Sequence, residues 1–168
     1  QNQYDYGPDT FYVLTWKQTT EDKEVAPGYV YTAEEGLKLL RFENFAGAKA
    51  RGAMQMLWDG DYTWADRMSV LDTHLGDDTG WEPQVEYGFS LRQHGDGTIE
   101  LSVERTSDGA IVWQTTVQDP APLPPGPVGF LNLGVPQTRY AHTVPVNHLP
   151  DGTYEFRALS GDPGLRGL

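Results

Sequence analysis

Carboxylates gather in a few short loops of this chain. Asp59-Gly60-Asp61 sets two of them on either side of a glycine, with Asp66 close behind. Asp77-Asp78 forms a second acidic loop that runs into Gly80-Trp81, and Asp5 and Asp9 precede an aromatic run at 11–18. Ca²⁺ is a hard cation that takes about six to eight oxygen ligands, typically from loops of this kind. Asp9, Asp59, Asp61, Asp77 and Asp78 are therefore the candidate calcium ligands. Adjacent carboxylates repel unless a cation or solvent screens them. The competing reading of each set is an ordinary solvated turn, since Asp and Glu are mostly exposed. The pattern is not an EF-hand, because the third acidic position and the terminal Glu of that loop are missing.

Other chemistry is weaker. Glu100 and Glu104 share one face of an alternating segment with Ser102 between them, and paired carboxylates can hydrolyse glycosides. A solvated strand face explains the same pattern. The four histidines, His74, His94, His142 and His148, show no metal-ligand spacing. No nucleophile elbow, phosphate loop or dinucleotide fingerprint occurs. Trp64 and Trp81 fall in expected loops, which makes them candidates for glycan or partner contact; the alternative for both is a place in the core. No catalytic residue is assigned, and the chain reads as a non-enzyme.

These side chains sit in a chain of 168 residues, a length that suits one domain. Apolar residues make up 38% and aromatics 12%, enough for one core, while 19 Gly and 12 Pro imply frequent turns between short strands. The formal net charge of -12 argues against a nucleic-acid partner, which needs a basic surface. The absence of cysteine excludes disulfides and thiolate sites within these residues. No apolar run approaches the roughly 18 residues needed to cross a bilayer, so membrane insertion is not expected.

Periodicity predicts the elements that position the candidate residues. Phe11 to Gln18 is dense in aromatic and β-branched residues and predicts a strand whose alternation points inward. Residues 19–28 read as a charged loop ending at Pro27-Gly28, with a short strand at Tyr29-Val30-Tyr31. Thr32 to Glu35 before Gly36 reads as a capped helical turn. Leu37 to Phe45 and Met68 to Leu71 have strand character, and 72–80 reads as a polar loop. Val85, Tyr87, Phe89 and Leu91, then Ile99, Leu101 and Val103, alternate with polar residues across the turn His94-Gly95-Asp96-Gly97. After Ser107-Asp108-Gly109, Ile111-Val112-Trp113 begins a third strand, which predicts an antiparallel meander with one buried face. Asp119 to Pro127 is too proline-rich for a central strand. Val128 to Leu133 and Thr153 to Ala158 predict two more strands, and 161–168 a mobile tail.

Five segments in order resemble the thrombospondin C-terminal domain over about residues 1–142. They are Phe11-Tyr12-Val13 with Trp16-Lys17-Gln18; Leu57-Trp58 before Asp61 and Thr63; Gly80-Trp81 before the Tyr87 to Gln93 strand; the hairpin 95–113; and Pro125-Gly126 through Gly129-Phe130, followed by Gln137 and Tyr140. The resemblance implies an all-β fold, a concanavalin- and laminin-G-like antiparallel β-sandwich of jelly-roll type. It also implies an extracellular, secreted or cell-surface location, bound Ca²⁺, and contact with protein or glycan at a cell surface or matrix. Animal members usually carry cysteine, so the cysteine-free chain resembles a bacterial-type relative. Family strands and an acidic stretch that precede the first segment would lie before Gln1. The expectation is a fragment, or a sandwich completed by another chain, with residues 143–168 as an extra strand plus linker or tail.

The leading expectation is thus an extracellular calcium-binding adhesion module. The alternatives are a carbohydrate-binding or carbohydrate-cleaving sandwich and a structural segment of a surface assembly.

Overall fold

A computed structural model describes residues 10–43, 68–124, 139–146 and 153–159. Every regular element among them is a β-strand and every pairing is antiparallel, as the patterning predicts. The chain divides into two compact units, Gln1–Gly80 and Trp81–Leu168.

The first unit is built around β4 (Gly36–Phe42), which lies between β1 (Phe11–Lys17) and β5 (Met68–Leu75). Leu37, Leu39, Leu40 and Phe42 have no exposed surface, so β4 is buried on both faces. A near-continuous apolar run is what such a strand requires. Phe11 stands opposite Phe42, and their rings stack with centroids 5.3 Å apart. Phe11 and Val13 close over the cluster of Leu40, Phe42 and Met68. A bulge in the β4–β5 ladder between Leu39 and Leu40 sets Leu39 against Asp72 and Leu40 against Val70. β4 also buries a charge, Lys38, 4% exposed, whose ammonium lies 3.8 Å from Glu34.

Four expectations are corrected here. The charged segment 19–28 is not a loop: Glu21–Ala26 forms β2, paired with β3 (Tyr29–Ala33). Pro27 fixes its own φ and Gly28 takes φ +80°, the combination a type II turn requires, so the turn zips the charged β2 onto β3. Thr32 to Gly36 is not a helical turn. Thr32 donates its hydroxyl to Asp22 across the hairpin at 2.7 Å, a bond available only in the extended form, and β4 begins at Gly36. The strand from Met68 runs on to Leu75, because β4 offers partners for Asp72, Thr73 and His74. Finally, β1 does not alternate between buried and exposed. All seven residues are half-buried, as suits a strand paired on one side by β4.

The second unit holds the meander. β6 (Glu86–Gln93), β7 (Thr98–Arg105) and β8 (Ala110–Gln118) pair in sequence order; β10 (Thr153–Leu159) pairs with β6, and β9 (Arg139–Val146) with β10. Register gathers one apolar face: Phe89 pairs with Val103, Leu91 with Leu101, and Val103 in turn with Trp113. Tyr87, Ile99, Leu101, Val103 and Trp113 are its buried core. The strand expected at 153–158 lies inside this sheet, and β9 runs across 142–143. The expected strand at 128–133 lies outside the described residues.

The burial difference sets a test. Leu101→Ala should cost about 2–5 kcal/mol in urea unfolding, because the surrounding sheet cannot collapse onto the lost side chain. Ile111→Ala, at a site 53% exposed, should change stability by no more than about 0.5 kcal/mol.

Candidate functional site

The acidic turn at 76–80 is the predicted site that falls within the described residues. It begins where β5 ends. Gly76 donates its N–H to the Glu35 carbonyl at 3.4 Å, and Thr79 N–H returns to the Gly76 carbonyl at 3.2 Å, closing a turn around Asp77 and Asp78. Asp78 takes φ +68°, a left-handed conformation that Asp tolerates better than most residues. The Thr79 hydroxyl lies 2.6 Å from the Gly76 carbonyl and 3.3 Å from the Glu35 carbonyl.

Two further bonds fix the turn to the rest of its unit. The Glu35 carboxylate accepts from Gly80 N–H at 2.9 Å, and the Trp16 indole donates to the Thr79 carbonyl at 2.9 Å. Gly80 is required by close approach, since a Cβ there would overlap the Gln18 carbonyl. The brace therefore comes from the end of β1 and from the β3–β4 connection. It leaves Asp77 and Asp78 exposed, with no hydrogen bond or ion pair among the described residues.

The turn brings Asp77 and Asp78 together, and the nearby Glu35 carboxylate is engaged by Gly80 N–H. Among the described residues no group of three or more His, Asp or Glu is arranged to hold a metal. The donor chemistry, two solvent-facing carboxylates, suits a hard cation. Asp9, Asp59, Asp61 and Trp64 lie outside the described residues. Trp81 is half-buried at the start of the second unit. Next to it, Glu82 donates its N–H to the Tyr87 hydroxyl at 2.9 Å, and its carboxylate meets Arg105 at 2.9 Å. Burial holds the Tyr87 hydroxyl above its ordinary pKa.

Glu35 and Thr79 are the residues that sequence reasoning missed. Glu35 read as part of a helical turn, and the partners it holds in the acidic turn lie more than forty positions away, |i−j| = 44 and 45. Thr79 carried no signal beyond its place in a polar loop.

A second polar cluster surrounds Glu100. Its carboxylate lies 3.3 Å from His94 Nε2 and 3.9 Å from Arg92. Glu100 and Glu104 are both exposed on one face of β7. The turn below is set by Asp96, whose carboxylate accepts from Thr98 N–H at 2.9 Å. That backbone bond, with help from the Thr98 hydroxyl, holds the Asp96 carboxyl below its ordinary pKa.

Two measurements check these assignments. Thr79→Val should cost about 1 kcal/mol in urea unfolding through loss of the hydroxyl bonds that close the acidic turn. A lowered folded pKa at Asp96 means that its contribution is present above the unfolded value of about 4 and is lost as pH falls through the lower folded one. The urea midpoint should therefore drop on acidification through that window, and Asp96→Asn should make the drop shallower.

Comparison with family models, with curated proteins and with solved structures finds no match to this chain.

Proposed function

We propose that the chain is an extracellular calcium-binding interaction module, an all-β piece of a larger secreted or cell-surface protein that contacts a protein or glycan. The carrying observation is the acidic turn. Asp77 and Asp78 face solvent from a loop whose backbone is held by Glu35, Thr79 and Trp16. Two exposed like charges on a braced loop gain from a cation that neutralises them. The ordered resemblance of five segments to the thrombospondin C-terminal domain supports the same reading. Asp9, Asp59 and Asp61 are the other proposed ligands, and Trp64 and Trp81 the proposed partner contacts. Bound Ca²⁺ would shape the loops that meet the partner rather than take part in a reaction.

Thermal unfolding with Ca²⁺ and with chelator tests the proposal. At a free concentration about a hundred times Kd, a cation that binds only the folded state adds about 2.7 kcal/mol, or a rise in Tm of about 5–10 °C. Asp77→Asn with Asp78→Asn should remove a large part of that rise, and Asp59→Asn with Asp61→Asn tests the other loop. Equal Tm values with Ca²⁺ and with chelator would sink the calcium proposal.

A further inference from the structure

The two larger sheets present four edges among the described residues: β1 and β5 in one, β8 and β9 in the other. An unpaired edge offers its N–H and C=O groups to any other strand, and proteins blunt such edges with charge or proline. Two of the four are blunted within the strand, β5 by Asp72 and β9 by Arg139 and Pro145, and β1 ends on Lys17. β8 is different. Its nine residues, Ala-Ile-Val-Trp-Gln-Thr-Thr-Val-Gln, include no charge, no proline and no glycine, and more than half are β-branched.

The main-chain groups of β8 have a defined direction. Asp119 donates its N–H to the Gly97 carbonyl at 2.9 Å, toward β7. Main-chain groups alternate from side to side along an antiparallel strand. Gln114, Thr116 and Gln118 therefore turn their N–H and C=O groups away from β7, and all three residues are exposed. Ile111, 53% exposed, extends the same segment.

Charge points to the occupant. Copies of a chain with net charge -12 repel over most of their surfaces. β8 itself adds no charge to that repulsion, and the acids that flank it in sequence are engaged. Asp119 is 1% exposed and accepts from Ala121 N–H, and Asp108 pairs with Arg105 at 3.4 Å. The segment is also self-complementary. About a two-fold axis at Thr116, an antiparallel pair sets Thr116 opposite Thr116, Gln114 opposite Gln118, and Thr115 opposite Val117. Threonine pairs and β-branched pairs of this kind favour pairing across strands.

We propose that β8 is a homotypic pairing edge: two copies join antiparallel through Gln114–Gln118, and their five-stranded sheets become one continuous sheet. The contact is isologous, so it closes at two copies. It stands independently of the calcium reading.

Sedimentation of the full chain across a concentration series tests it. The expected result is a concentration-dependent dimer. Thr116→Pro deletes one N–H that faces away from β7 and should weaken association about tenfold or more. Thr116→Lys sets two ammonium groups together at the axis and should weaken it comparably, with partial recovery at high salt. Circular dichroism and Tm verify that each variant is folded, and the lysine variant decides if the proline one is not. A monomer at every concentration, or a dimer that a folded Thr116→Lys leaves intact, would overturn the proposal. So would a monomer whose β8 amides become protected only when an extended peptide is added, which would assign the edge to a foreign strand.

Discussion

A buried N–H or C=O must have a partner, and in these sheets the partner is a neighbouring strand. That constraint ranks the strands. β4 has neighbours on both sides and can bury Leu37, Leu39, Leu40 and Phe42 completely. β1, paired on one side, is half-buried throughout despite a more aromatic sequence. Burial here follows position in the ladder before it follows hydrophobicity. The same constraint explains why the polar segment Glu21–Ala26 is a strand: the Pro27-Gly28 turn brings a partner alongside, and an exposed hairpin tolerates charged side chains.

The turns do the rest of the positioning. In the second unit they are local. Asp96 fastens the β6–β7 turn through Thr98, and Asp108 fastens the β7–β8 turn through Ala110 N–H at 3.1 Å. Each is an Asp carboxylate accepting from a main-chain N–H two residues on, a bond that short acidic side chains make readily. In the first unit the acidic turn is closed by Thr79 on Gly76 and is also held from outside itself, by Glu35 and Trp16. That difference leaves Asp77 and Asp78 unengaged, whereas Asp96 and Asp108 are occupied by their own turns.

Legibility in the sequence divided along the same line. The alternation of Val85 to Leu91 and of Ile99 to Val103 named the buried face of the meander, because period two is read directly from neighbours. Turn chemistry at 95–97 and 107–109 was legible for the same reason. The strand at 21–26 was not, since its composition is that of a loop and only its pairing makes it a strand. Nor was the extension of β5 through Asp72 to Leu75, which β4 alone dictates. At the acidic turn, Asp77 and Asp78 were legible as a loop. Glu35 and Thr79 were not, because their roles depend on contacts between residues far apart in the chain.

Those distant braces have a kinetic meaning. The bonds from Trp16 to Thr79 and from Gly80 to Glu35 span 63 and 45 positions. Closing loops of that length costs entropy that few early contacts repay, so pairings of high sequence separation form late. The β6–β7–β8 hairpins close over a few residues and face no such delay. The geometry that presents Asp77 and Asp78 is therefore a late product of folding, acquired only when the first unit has assembled around β4.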